Sequence, residues 1–304
     1  MSKIPIDVSP EVDSALRDGS PVVALESTVI AHGMPRPDNL EIGRRLGQIV
    51  RGHGVTPATV AVISGRVKVG LSDSELERLA DGADVQKISR RDFSTVVARK
   101  LDGATTVAGS MMAAHWAGIR VLATGGIGGV HRGGGFDISA DLPELARTPV
   151  MVVCSGAKAI MDLSATLEWM ETHGVPVIGY GVNELPAFYT RRSGLALDLW
   201  VDGPEQVVEL MQAQLRLGIV GGMVVAVPPP EQSALLGAEV QAAIDQALDM
   251  AQVEGVRGKD TTPFLLRQMD DLTSGESVIV NKALLENNAK VASHIALALS
   301  ASVL

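Results

Sequence analysis

The chain has a single cysteine, Cys154, so no intrachain disulfide framework can form. A fold without cross-links suits a reducing compartment, and the cytoplasm is the expected location. Flanked by Met151-Val152-Val153 and Ser155, Cys154 reads as a core thiol at the end of a buried strand rather than as a nucleophile. Aromatic residues are scarce, 3% of the chain against 46% hydrophobic, so the core is filled mainly by Ala, Val, Leu and Ile. Basic residues are outnumbered, 26 Lys and Arg against 35 Asp and Glu, and no basic stripe is present. The net charge of −9 excludes nucleic acid as the expected partner but leaves room for a locally positive phosphate site. Long apolar runs are missing too. The stretches around Ile219–Val227 and Ile295–Leu304 are too short to span a bilayer, and MSKIPIDVSP has no signal-peptide core, so neither membrane nor export is expected.

Several nucleotide and metal motifs are also absent. There is no GxxxxGK[ST] loop, no His-Glu-x-x-His and no paired cysteine spacing. Gly126-Ile127-Gly128-Gly129-Val130-His131 lacks the third glycine of a dinucleotide fingerprint, and no ribose-binding acid stands after a second strand. No nucleotide cofactor and no structural zinc are expected.

What is present is an alternation of short apolar runs with helical patterns across 304 residues. Strands are expected at Pro21–Leu25, Thr59–Ile63, Val85–Ser89, Thr105–Ala108, Ile119–Ala123, Val150–Cys154, Val175–Tyr180 and Val220–Val227. Helices are expected at Pro37–Arg51, Asp73–Ala80, Ser110–Trp116, Ser164–His173, Pro204–Leu217, Glu231–Glu254, Thr261–Met269 and about Val278–Leu299. Near-continuous apolar strands between helices predict a sheet buried on both faces. The expected fold is one α/β domain, a three-layer α/β/α sandwich around a mostly parallel or mixed sheet. It spans residues 1–304, with a helical lead-in at 1–18 and a C-terminal helix from 278; Pro228-Pro229-Pro230 is the best linker candidate.

The chain is organised around Thr124–Leu145, TGGIGGVHRGGGFDISADLPEL, fed by the apolar run Ile119–Ala123. Seven glycines lie between Gly125 and Gly135, a density that suits backbone N–H groups facing an anion. Asp137, Ser139 and Asp141 follow at alternate positions, which share one side of an extended chain and suit a hard cation or acid–base work. Asp137 and Asp141 read equally as caps of the helix beginning near Asp141. Ligands bind at the carboxyl ends of strands in open α/β sheets, which selects Glu26, Lys87, Thr124 and Ser155-Gly156-Ala157-Lys158. Glu26 is either a capping or ion-paired carboxylate or a catalytic one. Lys87, Arg90 and Arg91 are either a solvated face or a phosphate site, and His32 and His131 read as turn residues. Lys158 is expected near a helix start, where the dipole disfavours its charge and favours nucleophilic use.

Eight segments carry a resemblance: ALESTVIAHGMPRP (Ala24–Pro37), ISGRVKVGLS (Ile63–Ser72), KISRRD (Lys87–Asp92), ATGGIGGVHRG (Ala123–Gly133), DISADLPEL (Asp137–Leu145), VCSGAKAIMD (Val153–Asp162), ETHGVPVIGYGVNELPAFYTRRSG (Glu171–Gly194) and NKALLENNAKVA (Asn281–Ala292). In this order the chain resembles the pseudouridine-5′-phosphate glycosidases, which include proteins once called indigoidine synthase A. The resemblance implies reversible conversion of pseudouridine 5′-phosphate and water to uracil and ribose 5-phosphate. It further implies Lys158 as a Schiff-base lysine, Glu26 as proton donor and Asp137 as ligand of a divalent metal, manganese in the family. Lys87, Val107, Ser139, Ala140 and Asp141 are implied substrate contacts, His131 and Asn281 further pocket residues, and a homotrimer the assembly. Two other classes stay open: a sugar or nucleoside kinase, which would bind ATP, and a non-catalytic sugar-phosphate-binding protein, which would not need both Glu26 and Lys158.

Overall fold

The computed structural model describes residues 6–82, 84–132, 137–256 and 261–302. Its centre is a run of short strands buried at every position: β2 (Val22–Leu25), β7 (Val121–Ala123), β9 (Met151–Cys154) and β13 (Met223–Ala226). They pair in parallel, in the order β2-β7-β9-β13. Residues alternate between faces along a strand, so burial of both sets requires cover on each side. The apolar runs that predicted this sheet therefore reflect its double cover directly.

The sheet extends both ways. Beyond β13 lie β11 (Val177–Tyr180) and β12 (Trp200–Val201), both parallel. Beyond β2 lie β3 (Thr56–Ile63), β4 (Arg66–Val69) and β1 (Ile6–Val8). Here the sheet is mixed: β4 folds back antiparallel on β3 through Ser64-Gly65, and β6 (Gly103–Thr105), which pairs in parallel with β5 (Gln86–Ile88), is also antiparallel to β3. Eleven strands result among the described residues, with β8 (Val130–His131) and β10 (Met161–Asp162) forming a separate antiparallel pair.

The helices are α1 (Pro10–Arg17), α2 (Asp38–Gly52), α3 (Asp73–Asp81), α4 (Phe93–Ala98), α5 (Val107–Ala117), α6 (Asp141–Leu145), α7 (Leu163–Thr172), α8 (Pro204–Arg216), α9 (Gly237–Val253), α10 (Thr261–Leu272) and α11 (Glu276–Ala301). α11 packs against β2, β7 and β9 and against α2 and α8, which carries the C-terminal segment across the middle of the sheet. None of these helices is long and apolar enough to cross a membrane.

Four expectations need correction. The lead-in is not wholly helical, because Ile6–Val8 is an edge strand on β4, and residues 1–5 lie outside the described residues. The expected strand Thr105–Ala108 ends at Thr105; the Thr106 side chain accepts the Gly109 N–H at 3.4 Å and starts α5 at Val107. Val220 is 69% exposed and β13 begins only at Met223. The triple proline is no free linker: the Pro228 carbonyl accepts from Asn287 and the Pro229 carbonyl from Arg191 at 2.6 Å.

Candidate active site

Two adjoining voids meet over the carboxyl ends of β2, β7 and β9. One is a small, mainly apolar chamber walled by Val29, Phe188, Pro263, Leu266 and Leu285 and by Gly125 and Gly126. The other is a larger cleft with many polar residues in its lining, among them Ser89, Arg90, Thr106, His131, Asp137 and the turn into α6. Glu26, Thr28, Lys87, Lys158 and Thr262 line both and so stand at their junction.

All ten candidate residues reach this place. Val107, His131, Asp137, Ser139, Ala140 and Asp141 face the cleft, Asn281 faces the chamber, and Glu26, Lys87 and Lys158 face both. Asp137 and Ala140 are exposed there, whereas Asp141 and Val107 are almost fully buried.

Glu26 directly follows the fully buried strand β2. Burial pushes its carboxyl up to about 7, against the pull of Lys158, with Asp141 adding to the rise and Lys87 and Thr124 opposing it. A carboxyl half-protonated near neutrality can both give and take a proton. The Thr124 hydroxyl faces it without a hydrogen bond of normal geometry. In the cleft, burial lowers the affinity of His131 for a proton, and the Asp137 carboxylate only partly offsets it.

Lys158 sits on a loop, not at a helix start. The chain bridges Ile127 to Ala157, turns, and forms β10 before α7 begins at Leu163. Lys158 therefore has no helix N-terminus beside it in the chain whose dipole would disfavour its charge. The loop itself is well fixed: the Lys158 N–H donates to the Ile127 carbonyl at 2.9 Å and the Ile127 N–H to the Gly156 carbonyl at 3.1 Å. Gly156 has φ +80° and faces the Pro186 carbonyl, which a Cβ would approach to 2.3 Å, so only glycine fits this turn.

The glycine loop also differs from an anion cradle. Gly125–Gly129 are buried, and the Gly128 N–H is taken by the chain's own Asp141 carboxylate at 2.8 Å. A Cβ on Gly128 would stand 2.2 Å from the Ser139 hydroxyl, so this glycine serves close packing against the acidic turn. Gly133–Gly135 lie outside the described residues. The second oxygen of Asp141 accepts the Ala108 N–H at 2.8 Å. Asp141 thus does not cap its own helix; it joins the loop to the start of α5. Arg90 is likewise committed, donating twice at 2.6 Å to Glu144, which is 1% exposed. Cys154 is a core thiol pushed up to about 12 by burial.

Asp137 offers an exposed oxygen ligand on the cleft wall. Among the described residues no three His, Cys, Asp or Glu side chains converge to cage a metal. That donor set fits a hydrated hard cation held by one carboxylate rather than a protein-enclosed site. Sequence reasoning did not single out Thr28, Phe188 or Thr262; Thr28 and Phe188 lie within segments that carry the resemblance, whereas Thr262 lies in none of them. It read His32 as a turn residue, and His32 lines the chamber.

Residues 11–298 match the family described as indigoidine synthase A like protein. The chain belongs to that family, and it is an enzyme. A relative from Hahella chejuensis, named pseudouridine-5′-phosphate glycosidase, is 53% identical over 96% of this chain and 97% of its own length. The prealnumycin C-glycosynthase, crystallised with ribulose 5-phosphate, superposes with a TM-score of 0.91 at 38% identity, covering 98% of each chain. An indigoidine synthase A-like protein of Thermotoga maritima gives a TM-score of 0.90 at 33% identity, over 99% of this chain and 98% of its own.

Proposed function

We propose that this enzyme cleaves the C-glycosidic bond of pseudouridine 5′-phosphate reversibly, giving uracil and ribose 5-phosphate through a lysine Schiff base. The observation that carries this reading is the junction of chamber and cleft, where Lys158, Lys87 and the buried, near-neutral Glu26 meet. A base joined through carbon has no lone pair on the leaving atom, so the paired carboxylates of ordinary glycoside hydrolysis are not enough. An amine at the anomeric carbon supplies the missing electron pair.

The Lys158 amine forms a bond to C1′ as the ring oxygen departs, and Glu26 gives that oxygen a proton. The ammonium so formed returns a proton to the Glu26 carboxylate, which restores the nitrogen lone pair, and Glu26 then protonates C5 of the uracil. The nitrogen lone pair forms the imine as the C1′–C5 bond breaks, and those bonding electrons restore the C5–C6 double bond. Water adds to the imine, freeing ribose 5-phosphate and the amine. The ribulose 5-phosphate in the C-glycosynthase neighbour supports an acyclic pentose phosphate in this fold, since a 2-ketopentose esterified at O5 cannot close a furanose ring. The family match removes the ground for a kinase reading.

Asp137 would hold a divalent ion, manganese by the family resemblance, which would supply positive charge beside the substrate. Lys87, His131, Ser139, Ala140, Asp141, Val107 and Asn281 are the proposed substrate-binding wall. The proposed assembly is a homotrimer acting in the cytoplasm, and light scattering of the purified protein checks the trimer. The decisive experiment is incubation with pseudouridine 5′-phosphate and manganese. Free uracil is expected, together with a borohydride-trapped adduct at Lys158 when ribose 5-phosphate is offered. An adduct confined to another lysine would overturn the role given to Lys158.

A further inference from the structure

We infer that Asn288 is a positioning residue that sets the place of the Lys158 amine, although it touches neither void. It lies on α11, two turns beyond Asn281 and therefore on the same helix face, and is fully buried. Its amide nitrogen donates to the Thr124 carbonyl at 2.9 Å and the Gly125 carbonyl at 3.3 Å, and lies 3.1 Å from the Ser155 hydroxyl. The Ser155 hydroxyl in turn reaches the Asn288 amide oxygen at 3.4 Å. Only an NH2 group can face two carbonyls, so these partners fix which way the amide points.

The side chain thus fastens together the ends of β7 and β9, two of the strands whose following loops carry the site. Thr124 and Gly125 begin the segment that reaches His131; Ser155 begins the one that reaches Lys158. The same seam continues outward through the Ser155 N–H donating to the Gly125 carbonyl at 2.8 Å and the Lys158 N–H donating to the Ile127 carbonyl at 2.9 Å. Asn288 stands at its buried root. Without the amide, the seam keeps its backbone bonds but loses the side chain that sets its spacing against α11. A shift of the amine of about 1 Å is enough to cost on the order of a hundredfold in rate.

This inference rests on the Schiff-base reading, and its test separates the two. Asn288→Ala is purified, its folded fraction fixed by circular dichroism and denaturant unfolding, and kcat and KM are measured separately for pseudouridine 5′-phosphate. The rate of borohydride trapping with ribose 5-phosphate is measured beside them. The expected result is a loss of about 10–100-fold in kcat and in trapping rate, with KM within about threefold of wild type. Per folded molecule, kcat and trapping within twofold of wild type would overturn the inference, whatever the loss of stability. Where Asn288→Ala does not fold, Ser155→Ala takes its place, since it removes one side of the clamp and keeps the bonds to both carbonyls. Slowed trapping then supports the inference and trapping at the wild-type rate overturns it. Wild-type protein that neither releases uracil nor traps an adduct would refute the function instead.

Discussion

At the scale of single residues, Glu26 sets the strongest expectations. Its folded-state affinity for a proton is raised from 4.5 to about 7 by burial. The folded form binds the proton more tightly, so the contribution of Glu26 to stability is fullest below about pH 4.5, falls as pH rises to about 7, and is level above. Glu26→Gln removes that dependence and is expected to raise the melting temperature at pH 8, by up to on the order of 3 kcal/mol in unfolding free energy. The gain should vanish at pH 4; equal melting curves for the two proteins at pH 8 would contradict the buried, near-neutral carboxyl. Turnover should fall by about 10²–10⁴ in the same variant if Glu26 is the proton donor. In the wild type, kcat/KM should decline above about pH 7 as the donor loses its proton. The pattern of residues marked Glu26 and Lys158 as strand-end groups, but not what surrounds them. Whether a carboxyl is dehydrated depends on the whole shell around it, and no neighbour in sequence reports that.

Elements decide where those residues stand. Asp141 accepts two backbone N–H bonds, from Ala108 at the start of α5 and from Gly128 in the glycine loop. It is 5% exposed, so Asp141→Ala strands both donors away from water. Unfolding in urea should show a loss of roughly 2–4 kcal/mol, larger than a surface carboxylate deletion would give. A loss below 0.5 kcal/mol would count against the clamp, since that is the range of ordinary surface changes. The alternation of Asp137, Ser139 and Asp141 predicted one shared face of an extended chain; all three line the cleft, but so do Ile138 and Ala140 between them, and Asp141 already opens α6. The task of Asp141 was not legible, because its partners come from α5 and from the preceding loop. Thr106 shows the same limit at a boundary. The β-branched run continued past Thr105 in sequence, and the cap decided that Val107 is helical.

For the molecule as a whole, the absence of cross-links means that stability rests on burial and on packing across the sheet. Cys154 lies at the end of β9 with no exposure, its thiol pushed up to about 12. A thiol reagent at pH 8 should therefore leave the native enzyme unmodified and react at the rate of unfolding. Fast labelling of folded protein would place Cys154 outside the core. The sequence by itself determined the parallel centre of the sheet and most helices, because double burial and helical periodicity are written locally in apolar runs. It marked the resemblance through long, unusual segments. Only the tertiary structure decided that Glu26, Lys87 and Lys158 share one junction with Asn281 on its chamber side, that Lys158 rides a loop, and that α11 fastens the two loops from beneath. Those are distances between segments remote in the chain, set by how the layers close on one another, and the order of residues along a backbone does not specify them.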